Sequence, residues 1–191
     1  MFFKNIKLKD CKAFRENELQ GLWYQFDIEE RKFLYDFYSS SNSNVSQLYF
    51  IYNLIMLLQS QRKDKATQKV INYVNENNLY LKSDNVEDKH FYLLQIIKFY
   101  YHPKSPEIYN PELVKKYTYE DIEIFTNNVE VFKSHGTIAK NPSFKILVLI
   151  LEKEKNYKEA IKISELALKY EQDDGTKSGF EGRIKKLNKN L

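Results

Sequence analysis

Three of the five glycines in this 191-residue chain fall within eleven residues, "DDGTKSGFEGR", Asp173 to Arg183. Lys177 and Arg183 stand among them with Thr176 and Ser178. Such residues bind phosphate when a glycine-rich loop leads from a strand into a helix. That chemistry needs the pattern GxxxxGK[ST]. "GTKSG" lacks it, and no strand-like run precedes it. What remains is the weaker attraction of a helix N-terminus for anions, with Lys177 and Arg183 as candidate ligands of a carboxylate or similar group. A second concentration is aromatic. Phe91, Tyr92, Phe99, Tyr100 and Tyr101 crowd one stretch, where core packing competes with an aromatic groove for a peptide or a stacking platform for single-stranded nucleic acid. Tyr92, Tyr100 and Tyr101 are the candidate binding residues of this group.

Catalytic constellations are not visible. His90, His102 and His135 belong to no HExxH pair and no Cys/His cluster, and a lone cysteine cannot build a zinc site. Glu87 and His90 lie one helical turn apart, the spacing of a surface pair as much as of a dyad. Cys11 has no neighbour in sequence that would activate a thiol. Glu29–Glu30, Asp84–Glu87 and Asp173–Asp174 fall where helices start or end, and there carboxylates cap backbone N–H groups and complement the dipole. The expectation is a protein that is not an enzyme, with neither cofactor nor metal.

Charge narrows the partner. The net charge is +4, with 26 lysines and four arginines. Residues 1–15 carry five cations against Asp10, residues 175–191 carry five against Glu181, and the body between them is mildly acidic. Basic ends on an acidic body do not make the strongly basic face of a dedicated nucleic-acid binder. A protein or peptide partner is therefore expected first and nucleic acid second. The lone cysteine allows no internal disulfide and suits a reducing cytoplasm, the expected location. "MFFKNIKLKD" lacks the apolar run of a signal peptide. Phe37 to Gln61 holds no charge, but its apolar part, "LYFIYNLIMLL", is eleven residues, too short for about 30 Å of hydrocarbon. It predicts a buried core helix and no membrane span.

The elements that must position these residues read as helices. "NIKLK" alternates Ile6 and Leu8 with lysines, the pattern of a short strand or extended arm within residues 1–26. Asp27 and Glu30 have capping-box spacing before Phe33, Leu34 and Phe37. "SSSNSN" makes a loop. A helix apolar nearly all round follows from Val45 to Gln61, and Ala66, Val70, Tyr73 and Val74 mark one face of the next. Ser83 or Asp84 caps a heavily buried helix reaching Tyr101, ended by Pro103 and Pro106. Pro111 opens a short helix. Thr118 and Asp121 form a second capping-box pair, and Gly136 suits a C-terminal cap. The class is all-α: seven or eight helices arranged as consecutive hairpins.

Asn141 to Asp174 has the length of one helical repeat, 34 residues. Phe144, Leu147, Tyr157, Ala160 and Ala167 occupy core positions of such a unit, and this segment resembles a tetratricopeptide repeat. Val148, Ser164 and Gln172 depart from its preferences for a small residue, an aromatic and proline. A weaker match at 47–80 aligns Phe50, Leu57 and Ala66 with Phe144, Leu151 and Ala160. The resemblance implies a tetratricopeptide-like or α-solenoid domain over 27–191, closed by a C-terminal capping helix, "SGFEGRIKKLNKNL". There Phe180, Ile184 and Leu187 face inward and Lys185, Lys186 and Lys189 face water. Gly175 would end the preceding helix, and Thr176 or Ser178 would cap this one. The function so implied is that of a non-enzymatic protein- or peptide-binding adaptor or regulator. The alternative is a nucleic-acid-associated regulator.

Overall fold

A computed structural model describes residues 7–38, 45–102 and 106–191. Ile6, the "SSSNSN" segment and Pro103 lie outside the described residues. The fold is all-α. Eleven α-helices are seen among the described residues, with a two-stranded hairpin as the sheet. None of these helices is long and apolar enough to cross a membrane. The chain forms two compact units, Met1–Tyr92 and Leu93–Leu191.

The first unit begins with a 3-10 turn at Leu8–Asp10, then α1 (Lys12–Glu16) and α2 (Gln20–Gln25). The expected strand or arm is thus corrected wherever it is described. Cys11, Ala13, Phe14, Leu19, Leu22 and Trp23 are fully buried, and such an apolar load folds into a core rather than trailing in water. Phe14 is the hub. Its ring centroid lies 5.0 Å from Trp23, 5.3 Å from Phe50, 6.1 Å from Phe26 and 6.3 Å from Tyr38. α3 (Ile28–Tyr38) starts with the expected capping box: the Asp27 N–H donates to Glu30 Oε2 and the Glu30 N–H to Asp27 Oδ1, both at 2.8 Å. α4 (Gln47–Ser60) and α5 (Asp64–Glu76) form a hairpin. α2 packs against α5 closely enough that a Cβ at Gly21 would lie 3.0 Å from the Tyr73 ring. α6 (Leu79–Lys82) follows, and α7 (Val86–Tyr100) begins in this unit and ends in the next. α7 is capped by Asn85, whose Oδ1 accepts the Asp88 N–H at 3.0 Å, and not by Ser83 or Asp84. Ser83 Oγ instead accepts the Asn85 N–H.

In the second unit, Asn110 caps α8 (Pro111–Asn127) by accepting the Leu113 N–H at 3.1 Å. This helix runs straight through the pair expected to start a new one. Thr118 Oγ1 donates back to the Val114 and Lys115 carbonyls, as mid-helix threonines do. Asp121 is fully buried and accepts from Asn141 Nδ2 at 2.9 Å and Ser143 Oγ at 2.7 Å. A 3-10 turn (Val129–Phe132) leads into β1 (Lys133–Ser134) and β2 (Thr137–Ile138). Gly136 belongs to their tight turn and not to a helix cap: His135 and Gly136 have φ of +51° and +80°, the left-handed pair that two-residue hairpins require. α9 (Ser143–Lys153) and α10 (Tyr157–Lys169) form the second hairpin, with α8 packed on α9 and α11 (Gly179–Leu187) on α10. On α11, Phe180 and Leu187 are buried, Ile184 is half-buried, and Lys185, Lys186 and the neighbouring Lys189 are exposed.

The turns of the two hairpins match at a shift of 93 residues, although α4 begins three residues earlier relative to its turn than α9 does. Arg62 and Lys155, with φ of +53° and +60°, occupy the same place in the turn. The next N–H, Lys63 or Asn156, donates to Leu58 or Leu151 at 2.9 Å in each case. Beyond α5 and α10 the left-handed residues recur as Asn78 and Glu171, at +55° and +56°. Eight buried positions coincide: Ile51, Leu54, Ile55, Leu58, Thr67, Val70, Ile71 and Val74 stand where Phe144, Leu147, Val148, Leu151, Ala160, Ile163, Ser164 and Ala167 stand. Pairing Phe50 with Phe144 matches residue types but is one residue out of step with the turn. One residue is about 100° of helix, enough to point a different face inward.

Candidate protein-binding surface

The residues singled out from sequence separate into two places. In the first unit, Tyr92 is buried, with its ring centroid 5.7 Å from that of Tyr80. In the second, Tyr100 is 8% exposed and stacks on Tyr117 at 6.5 Å. Tyr101 is half-buried beside Tyr109, and burial first, then the Tyr109 phenol, raises its hydroxyl above the ordinary tyrosine range. Tyr92 and Tyr100 are therefore core side chains, and Tyr101 is partly so. His90 is buried as well, its ring against Phe91 at 5.3 Å, while Glu87 is exposed.

The Asp173–Arg183 segment answers its own charges. Asp173 Oδ1 accepts the Gly175 N–H at 2.7 Å, and Asp174 Oδ1 accepts the Thr176 N–H at 2.9 Å. These two loop donors thus already hold carboxylates of the chain. Arg183 donates from Nε and Nη2 to Asp174 Oδ2, at 3.0 and 2.7 Å, and from Nη1 to Glu152 Oε1 at 2.8 Å. Burial opposes the charges of both Arg183 and Asp174. The bonds to Glu152 and Asp174 prevail for the guanidinium and hold its pKa up, and the bonds from Thr176 and Arg183 prevail for the Asp174 carboxyl and hold its pKa down. Lys177 is exposed. Gly175 does not end α10, whose left-handed residue is Glu171, and neither Thr176 nor Ser178 caps α11 with its side chain. The stretch serves as a clamp joining α11, the preceding loop and α9.

The aromatic group leaves one member outside. Phe91 is 42% exposed on α7 and meets a stripe on α4: Tyr52 at 5.6 Å, with Tyr49 5.0 Å from Tyr52. Met56 follows on the same face, at i, i+3 and i+7 from Tyr49. Tyr49 is 42% exposed and Met56 46%. The rest of α4 is buried through Leu48, Phe50, Ile51, Leu54, Ile55 and Leu58. Local structure fixes the stripe. Ser46 caps α4 by accepting the Tyr49 N–H at 3.0 Å, and its hydroxyl donates to the Asp88 carboxylate on α7. Burial, as the main cause, pushes the Tyr52 phenol up to about 12, so the Tyr52 ring is neutral at any ordinary pH. Reading α4 as apolar all round hides this stripe. Its signal was the helical spacing of Tyr49, Tyr52 and Met56, on a different face from Phe50, Leu54 and Leu58.

Among the described residues no group of three His, Cys, Asp or Glu side chains gathers to hold a metal ion. Comparison with protein-family models, with curated proteins and with solved structures found no match to the chain.

Proposed function

We propose that the chain is a non-enzymatic binding protein, an adaptor or regulator built from helical hairpins of tetratricopeptide type, which takes a protein or peptide on the aromatic stripe of α4 and α7. One observation carries this reading. The turns of the α4–α5 and α9–α10 hairpins match at a shift of 93 residues, yet Tyr52 and Met56 of α4 stand where α9 has Lys145 and Leu149, and Tyr49 stands where Pro142 precedes α9. Folding this hairpin does not call for large aromatics there. Exposed apolar side chains grouped on one face support recognition, and tyrosine is favoured in interface centres because it adds area at little entropic cost.

The test is affinity purification of the tagged chain from cells that express it natively, with and without nuclease, beside a Tyr49→Ser/Phe91→Ser chain. A stoichiometric protein that survives nuclease and is lost from the double variant is the expected result. Equal recovery by both chains would sink the assignment to this face. The second reading, a nucleic-acid-associated regulator, draws on the exposed Lys177, Lys185, Lys186 and Lys189. Its mark is recovery that disappears with nuclease and affinity that falls steeply with salt.

A further inference from the structure

Resting on that reading, we propose that the occupant of the α4–α7 stripe is a short amphipathic helix whose apolar face is bordered by basic residues. Area argues against a second copy of this chain. Tyr49, Met56 and Phe91 are 42%, 46% and 42% exposed, so with Tyr52 they offer roughly 300 Å² of surface, whereas a stable dimer needs about 800 Å² from each side. Tyr49 to Met56 spans about 10 Å of α4, roughly two helical turns, so a short helix covers that footprint.

The chain's own packing points to a helix rather than an extended strand. α8 covers α9, and α11 covers α10. The described sheet is confined to the two-residue strands β1 and β2, which pair with each other in the second unit. Helix faces in this protein are covered by helices, which place apolar side chains at i, i+3, i+4 and i+7.

Charge selects the flanks. α4 carries no charged residue. Beside Phe91, α7 adds Glu87, exposed one turn before it, and Asp88, bonded to Ser46, while the Lys89 ammonium lies 5.5 Å from the centre of the Tyr80 ring. Asp88 is buried, so a phosphate backbone crossing these rings would meet the Glu87 carboxylate, and lysine or arginine beside an apolar seam would find its counter-charge there.

The test is selection from a phage-displayed library of random peptides about 12 residues or longer, on the immobilised full-length protein, with Phe91→Ser protein as counter-selection. The expected winners carry apolar residues at helical spacing with lysine or arginine beside them. They lose about tenfold or more in affinity on Phe91→Ser and bind more weakly to Glu87→Lys. Tyr49→Ser repeats the comparison should Phe91→Ser misfold by circular dichroism. Phe91-dependent winners that are acidic or proline-rich overturn the proposed partner and leave the binding face standing. Phe91-dependent capture of oligothymidylate at low salt does the same. No winner that depends on Phe91 or Tyr49 overturns both.

Discussion

Arg183 shows how far residue type falls short of residue role. As a cation in a glycine-rich stretch it reads as an anion ligand, but folded it is 13% exposed at the side chain and bound to Asp174, 1% exposed, and Glu152, 17% exposed. Removing one member of a buried ion network leaves uncompensated charge, so Arg183→Ala should lower stability by about 3 kcal/mol in urea unfolding, while Lys177→Ala should change it by less than about 0.5 kcal/mol. The same clamp sets an acid limb. The Asp174 carboxyl titrates below its unfolded value, so its contribution is present above about pH 4 and is lost as pH falls through the folded pKa. Arg183→Ala should flatten that limb, and equal acid midpoints in the two proteins would refute the account. The aromatics teach the same lesson. Sequence grouped five rings, and helical geometry turned Tyr92 and Tyr100 inward and Phe91 outward.

Elements were legible where a local rule dictates them. Asp27 with Glu30, and Asn110 before Pro111, fix helix starts through side chains a few residues away. Thr118 and Asp121 have the same spacing, yet the Asp121 carboxylate is taken by Asn141 and Ser143, some twenty residues on. No local window holds that competition. Turns were illegible for a different reason. They use left-handed residues that are not glycine: Glu18, Arg62, Asn78, Lys155 and Glu171 all have φ between +53° and +60°. A Cβ in that region costs about 1–2 kcal/mol, partly offset on substitution by the greater freedom of glycine in the unfolded chain. Lys155→Gly should therefore raise stability by about 0.5–1 kcal/mol and Tm by roughly 2–4 °C. Glu165→Gly, in the exposed interior of α10, should lower stability by about 1 kcal/mol. A calorimetric scan of the two proteins checks both signs.

At the scale of the whole molecule, tyrosine governs the alkaline limit. Burial, the leading cause in each case, pushes the Tyr52 phenol up to about 12 and raises those of Tyr38, Tyr101 and Tyr119. An unfolded phenol ionises near pH 10 and a buried one later, so between those values the unfolded chain binds fewer protons. Stability should be level from pH 7 to 9 and fall between about pH 10 and 12, with absorbance at the phenolate band lagging behind that of the urea-unfolded chain. A flat urea midpoint across this window would contradict these burials. The cluster around Phe14 has a separate consequence. The only tryptophan, Trp23, and the only cysteine, Cys11, are both fully buried there. The native thiol should resist alkylation, and indole emission should shift red when that cluster opens. Both signals are thus built-in reporters of Met1–Tyr92. A helical melting step that changes neither emission nor thiol reactivity belongs to Leu93–Leu191, so one unlabelled sample followed by two optical channels and a thiol reagent resolves the order in which the halves come apart.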